Sequence, residues 1–147
     1  LGFLTVLHFL TDTDKLARMG THVTGALVHG RAPWAVNFTW HDRFPSGSDA
    51  VMNVLMETLS MVEGPLPPTL YLQLDNCWRE NKNRYILALN HLLVHRGVFK
   101  KIKLSFLPIG HTHDDVDQMF SCLSTKIRTV TLYTEEDLAS HCRKAYK

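Results

Sequence analysis

Hydrophobic and polar positions follow two different periods along the chain, and each change of period marks a new element. In residues 21–40, two runs rich in Val, Thr, Phe and Trp lie on either side of a Gly-Arg-Ala-Pro turn, which predicts a β-hairpin. Helical spacing then begins at an S-x-x-D capping signal formed by Ser46 and Asp49, and it ends at a Gly-Pro-Leu-Pro-Pro segment. The apolar face of this predicted helix contains Val51, Met52, Leu55, Met56, Leu59 and Val62.

The next segments alternate between strand and helix patterns. Residues 69–75 form a short apolar run that predicts a buried strand ending in Asp75. Residues 79–96 show helical spacing up to Gly97, whereas residues 101–106 alternate between apolar and polar positions, as a half-buried strand does. The buried face of the predicted helix contains Tyr85, Ile86, Leu89, Leu92 and Leu93.

Two further helices follow, one predicted after Thr112 and one from Thr134, and each has acidic residues in its first turn. The core face of the first contains Val116, Phe120, Leu123 and Ile127. The apolar opening, residues 1–10, is interpreted as a strand or a short helix of the core. This order of elements predicts an α/β fold in which a mixed sheet, an antiparallel hairpin plus parallel strands, is flanked by helices.

The composition is typical of a single globular domain, and we expect residues 1–147 to form one. The chain is 45% apolar and 20% charged, so it can bury a core. Its formal charge of +2 gives no general attraction to nucleic acid or to anionic lipid, so binding of either needs a local patch. The sequence does not begin with Met, which suggests a piece of a longer reading frame.

The cysteines and the opening segment indicate the cellular compartment of the protein. Three widely spaced cysteines without a C-x-x-C pair argue against a disulfide framework and favour a reducing environment. The ten-residue apolar opening lacks a basic leader and is too short to span a bilayer, for which about 20 residues are needed. We therefore expect an intracellular protein, nuclear or cytoplasmic, that is not a membrane protein.

The densest group of ligand-type side chains lies in residues 110–117, at a predicted strand-to-helix junction, where two His and three Asp occur together. Asp75 ends another strand, and sites in open α/β sheets gather at the carboxyl ends of strands. Because hard divalent ions prefer carboxylate oxygens, Asp75 and Asp117 are the candidate ligands of Mg²⁺ or Mn²⁺. Asp114 and Asp115 are explained by the dipole of the helix that they begin.

A zinc site is an alternative interpretation of the same segment. His111, His113 and Asp115 have the spacing of an imidazole and carboxylate cluster that binds Zn²⁺. The position after Asp115 is Val116, and His141 is the one His that remains further along, so a zinc hydrolase has too few ligands.

A second polar segment, residues 75–83, contains four amide or carboxylate side chains after its first Asp. Asn76 and Glu80 are candidate binding residues, because such a cluster at a strand end can orient phosphates or a metal-bound water. The competing interpretation is that this segment only forms turns and a helix cap. The aromatic residues Trp34, Phe38, Trp40 and Phe44 are assigned to packing rather than to base stacking. The cations Lys100, Lys101, Lys103, Arg128, Arg143 and Lys144 form either a solvated face or a modest phosphate-binding patch.

The segment LYLQLDNCWRENKN, followed by a helix and by VFKKIKLSFLPIGHTHDDVDQMFS, resembles an uncharacterised animal domain family of transposon origin. The hallmark of that family is a DN...ENKN block followed by GHTH.D.DQ.FS. The hairpin segment THVTGALVHG fits the same family, so the resemblance covers residues 21–138. It implies a ribonuclease H-like integrase core, in which three carboxylates and two divalent metals cut and join DNA.

The resemblance also implies roles for particular residues. Asp75 would be the second-strand carboxylate, Asp117 the late-helix carboxylate, and His111 a neighbour that shapes the site. The first carboxylate of the family lies well upstream of the hairpin, and here Asp12 and Asp14 alone can replace it, ten and eight residues before His22. We therefore expect a truncated or rearranged first strand and a broken triad.

Two functions stay open at this stage. The first is a transposase-derived, integrase-like domain that is catalytically inactive or incomplete; a complete one would be a two-metal DNA strand-transfer enzyme or nuclease. The second is a non-catalytic module that binds DNA or another protein.

Overall fold

The structure of the chain is a computed structural model, and it describes residues 2–10, 21–30, 33–41, 43–44, 46–107, 115–132 and 134–145. The elements in these residues are β1 (Gly2–Leu10), β2 (Thr21–His29), β3 (Trp34–His41), α1 (Ser48–Ser60), β4 (Thr69–Leu74), α2 (Arg84–His95), β5 (Lys101–Phe106), α3 (Asp115–Arg128) and α4 (Glu135–Ala145). This order confirms the predicted one, and the apolar opening is a strand. The contacts group into two units, Leu1–Gly110 and His111–Lys147.

The first unit contains one five-stranded mixed sheet with the order β3-β2-β1-β4-β5. β2 is antiparallel to β1 and to β3, whereas β1, β4 and β5 are parallel to one another. The predicted antiparallel hairpin and parallel strands are both present. The parallel strands end at the same side of the sheet, at Leu10, Leu74 and Phe106, and we call this side the carboxyl edge.

The first strand, which we expected to be truncated or rearranged, is present as β1. β1 is nine residues long, lies at the centre of the sheet, and pairs with β2 from Phe3 to Leu10 and with β4 from Gly2 to Val6. This apolar run forms a strand because hydrogen-bonded strands lie on both of its sides. Asp12 and Asp14 follow β1, and they lie outside the described residues.

The core of the first unit lies between the sheet and the helices α1 and α2. Its buried members are Ala26, Val51, Val54, Leu55, Leu70, Leu72, Leu74, Ile86, Leu93 and Phe99. Alternation places the leucines of β4 on this face. In β5 the apolar residues are half-buried and Lys101, Lys103 and Ser105 are exposed, which confirms the predicted alternation.

The predicted start and face of α1 need correction. The N-cap residue is Gly47, at φ 154°, and no side chain caps the helix, so the Ser46 and Asp49 signal is wrong. Ser46 lies outside the cap position because the helix begins one residue after Gly47. The buried residues of α1 are Val51, Val54, Leu55 and Thr58, whereas Met56 is 43% exposed.

α2 is shorter than predicted, because the polar segment before it forms a loop up to Asn83. Its end is as predicted: Gly97 has a φ of 73°, and the backbone N–H groups of Gly97 and Val98 donate to the carbonyls of Val94 and Leu93. The buried residues are Ile86, Asn90 and Leu93. Tyr85 and Leu92 were expected on the buried face, but they are 51% and 46% exposed.

The second unit contains the helices α3 and α4, which pack against each other. Thr134 and Asp137 cap α4 reciprocally, each backbone N–H donating to the other's side chain, which confirms the predicted start. The buried side chains include Met119, Phe120, Leu123, Leu138 and Cys142. Burial raises the pKa of the Cys142 thiol.

All three cysteines are free, as predicted. Thr112 and Asp114 lie outside the described residues, and so does the side chain of Val116. Of the helices in the described part of the chain, none has the length and apolar character needed to cross a bilayer.

Candidate functional site

Asp75 is the first residue after β4 and lies at the carboxyl edge. β4 has a parallel neighbour on each side, since Leu74 pairs with Val6 of β1 and with Phe106 of β5. A side chain in this place is held by the sheet, yet it has no further strand residue to cover it. Asp75 is accordingly half-buried.

One carboxylate oxygen of Asp75 is fixed by the loop that follows it. Oδ1 accepts hydrogen bonds from the backbone N–H of Cys77, at 2.8 Å, and from Nδ2 of Asn81, at 2.5 Å. Among the described residues, Oδ2 has no hydrogen-bond partner. The carboxylate is therefore oriented by one oxygen and offers the other.

Asn81 is the residue that positions Asp75. Its side chain is 2% exposed, its backbone N–H donates to the Cys77 carbonyl at 2.8 Å, and its Nδ2 donates to Asp75. Its Oδ1 is buried and has no hydrogen-bond partner within the described part of the chain. A buried acceptor without a partner is uncommon in folded proteins, because losing water without replacement costs about 1–3 kcal/mol.

The predicted binding residues Asn76 and Glu80 form no hydrogen bond to the Asp75 carboxylate in the described structure. Oδ1 of Asn76 accepts from Nζ of Lys82 at 3.4 Å, and Glu80 is half-buried with no ion pair to a described residue. Residues 76–83 contain several amide side chains, and periodicity does not show which of them hydrogen-bonds to Asp75. The loop backbone selects Asn81, because the turn that begins at Cys77 brings this residue back to the end of β4.

Asn83 joins the loop to two helices. Its Oδ1 caps α2 by accepting from the backbone N–H groups of Tyr85 and Ile86, at 3.0 and 3.3 Å. Its Nδ2 donates to the hydroxyl of Ser48, at 2.7 Å, and to the carbonyl of Arg79, at 3.1 Å. One side chain thus connects the start of α1, the loop and the start of α2, and the predicted cap role of this segment is confirmed.

The outer side of the loop is aromatic and basic. Trp78 is 75% exposed, and Arg79, Lys82 and Arg84 are exposed as well. Nζ of Lys82 lies 5.4 Å from the ring centre of Phe106, the last residue of β5. The hydrogen bond from Arg84 to the Tyr85 hydroxyl raises the pKa of Arg84. Trp78 was missed at the sequence level, although a Trp beside an Arg in a polar segment is a usable signal.

Several predicted site residues are not located by the structure. His111, His113, Asp12 and Asp14 lie outside the described residues, and so does the side chain of Asp117, which belongs to α3. The convergence of Asp75 and Asp117 on one cation therefore stays a prediction. In the described ranges, no group of three or more His, Cys, Asp or Glu residues is arranged to hold a metal ion.

The remaining candidates are placed as follows. Nδ1 of His141, considered for zinc, lies 2.8 Å from the carbonyl of Asp137 in the same helix. Arg143 forms an ion pair with Glu136 at 2.7 Å, and Lys103 lies over the ring of Tyr71, 4.7 Å from its centre. The hairpin aromatics are half-buried, but Phe44 is 62% exposed, so its assignment to packing is wrong.

The fold and the site define an α/β domain with a mixed five-stranded sheet and one oriented carboxylate at the carboxyl edge. The model of the family described as domain of unknown function DUF7869 matches residues 11–147. The chain therefore belongs to this family. No curated protein matches it.

Proposed function

We propose that the chain is a transposase-derived, integrase-like domain with a ribonuclease H-like fold, and that its catalytic site is incomplete. Support comes from the sheet, in which an antiparallel hairpin is followed by parallel strands with helices between them. The observation that carries the proposal is Asp75, which directly follows the parallel strand β4 and has one oriented and one unpartnered oxygen among the described contacts.

The donors at this edge fit a hard cation only in part. Oδ2 of Asp75 is the kind of oxygen that Mg²⁺ or Mn²⁺ binds, and such an ion would supply Lewis-acid stabilisation of a phosphodiester. Catalysis by two metals needs carboxylates that bind both ions. β1, the central strand, has the sequence GFLTVLHFL without a carboxylate, and Asp12, Asp14 and the side chain of Asp117 lie outside the described residues, so we derive no cleavage step. With the donors that the described residues supply at this edge, Asp75 would hold a single ion, together with solvent.

A cleavage assay tests this proposal. The chain is incubated with plasmid and with oligonucleotide duplexes in Mg²⁺ or Mn²⁺, beside an Asp75→Asn variant that keeps an oxygen to accept from Cys77 and Asn81. We expect no cleavage or strand transfer above the level of the variant, because one carboxylate does not activate a nucleophile and a leaving group together. The matched control is Glu57→Gln, an exposed carboxylate on α1. Cleavage that Asp75→Asn abolishes and Glu57→Gln preserves would overturn the inactive form of the proposal.

A second candidate function is a non-catalytic module that binds nucleic acid. The observation that favours it is the exposed Trp78 beside exposed cations at the carboxyl edge. Such binding needs no metal, so it would persist in a chelator.

We also propose an intracellular location, because the three free cysteines fit a reducing compartment.

A further inference from the structure

Trp78 is exposed although its loop is held in place. Its indole side chain is 75% exposed, the highest value among the exposed large apolar side chains of the described chain. Indole has a large apolar surface, which most proteins bury for the most part. The loop does not hang free, since the carbonyls of Trp78 and Arg79 both accept from Nδ2 of Asn83, at 3.4 and 3.1 Å. The backbone at Trp78 is therefore held by hydrogen bonds, while its side chain is exposed.

Positive charge is concentrated beside this indole. Residues 75–84 contain three cations, Arg79, Lys82 and Arg84, and two anions, Asp75 and Glu80. Their net charge is +1, and both anions are half-buried. All three cations are exposed, and Lys82 reaches the end of β5 at the carboxyl edge. The ligand of this surface should accordingly be an anion.

An exposed indole beside exposed cations fits some classes of ligand better than others. An apolar peptide needs a continuous apolar patch, and in residues 75–84, all of which are described, Trp78 is the one exposed large apolar side chain. A free phosphate has no apolar surface that could stack on the indole. A strand of nucleic acid with unpaired bases presents both a stacking surface and regularly spaced phosphates, and aromatic side chains in a basic surface are the usual means of binding it.

We propose that the loop of residues 75–83 binds single-stranded nucleic acid, with an unpaired base stacked on the Trp78 indole and the adjacent phosphates on Arg79 and Lys82. The inference rests on the proposed nucleic-acid binding and names the form of the ligand. It requires an unpaired base because the bases of a duplex already stack on one another. Lys82 would bind a phosphate of the nucleic-acid strand at the carboxyl edge, near Asp75, the first residue of the same loop.

The test is a fluorescence anisotropy titration with labelled oligothymidine and oligouridine of about 15 nucleotides, in a chelator. Trp78→Ala should weaken binding of both at least about fivefold, because stacking on an aromatic side chain contributes about 1–3 kcal/mol per base. Trp78→Phe should retain most of the affinity. The matched control is Met61→Ala, an exposed apolar residue just past the other end of α1, which should bind normally.

Variants of the cations test the phosphate contacts through the salt dependence of binding. Arg79→Ala should reduce the slope of log affinity against log salt by about 0.7, the contribution of one phosphate contact on a single strand. Arg96→Ala, at the opposite end of α2 from Asn83, should leave the slope unchanged. Similar affinities for the two oligonucleotides would mean that the 2′-hydroxyl is not read, whereas a preference for one would assign the strand as DNA or RNA.

Two outcomes would overturn the inference. In the first, Trp78→Ala and Met61→Ala bind alike; if the chain still binds duplex DNA, then nucleic-acid binding stands and the base-stacking site does not. In the second, neither single strands nor duplex DNA bind, and the inference and the nucleic-acid module fail together. Thermal unfolding of each variant shows that the fold is intact, which is expected because the Trp78 side chain is 75% exposed.

Discussion

Replacing Leu72 by alanine should lower the free energy of unfolding by about 2–5 kcal/mol. Leu72 is 0% exposed in the middle of β4, and it belongs to the core between the sheet, α1 and α2. Its strand neighbours Leu4 and Leu104 are held by ladder hydrogen bonds, so the backbone cannot collapse to fill the space. Because domains have about 5–15 kcal/mol of stability in total, the loss should be evident in a urea titration.

The control for this prediction is Leu87→Ala. Leu87 lies on α2, within the same unit, and is 58% exposed, so the same chemical change should alter stability by no more than about 0.5 kcal/mol. Equal effects of the two substitutions would contradict the assignment of the core to this face of the sheet.

Asn83→Ala should lower the free energy of unfolding by about 1–2 kcal/mol, as measured by the same titration. The substitution removes the cap of α2 together with the hydrogen bonds to Ser48 and Arg79. The loop should then open locally, and the amides of Asn81 and Lys82, which donate to the Cys77 carbonyl, should exchange with solvent faster.

Two further variants separate the roles of Asn83. Asn53→Ala, on the exposed side of α1, should change the stability by no more than about 0.5 kcal/mol. Asn83→Asp keeps an acceptor for the cap but places a carboxylate opposite the Arg79 carbonyl, so it should loosen the loop while α2 stays formed. An unchanged rate of loop exchange in Asn83→Asp would show that the cap alone matters.

The fold was largely predictable because its elements have strong periods. The strict alternation of β5 gives its buried and exposed faces, and Gly97 gives the end of α2. Whether residues 1–10 form a strand or a helix was not predictable, since an apolar run fits a strand or a buried helix. Helix faces were less certain for a related reason: α2 is apolar around most of its circumference, so Leu92 is exposed although it fits the core pattern.

The site was predictable at the level of the strand end and not at the level of contacts. Asp75 follows from its place after an apolar run, since strand ends collect functional side chains. The choice of Asn81 over Asn76 depends on the turn at Cys77, which no local pattern shows. The exposure of Trp78 was hidden for a similar reason, because its loop is fixed by the distant Ser48 through Asn83.

Counting the Mn²⁺ ions bound per chain, by electron paramagnetic resonance titration, tests the incomplete metal site most directly. The one unpartnered carboxylate oxygen that the described residues offer at the carboxyl edge predicts at most a single ion, which the Asp75→Asn variant loses and the Glu57→Gln variant keeps. Two Mn²⁺ ions that both depend on Asp75 would show a complete two-metal centre, and they would contradict the proposal.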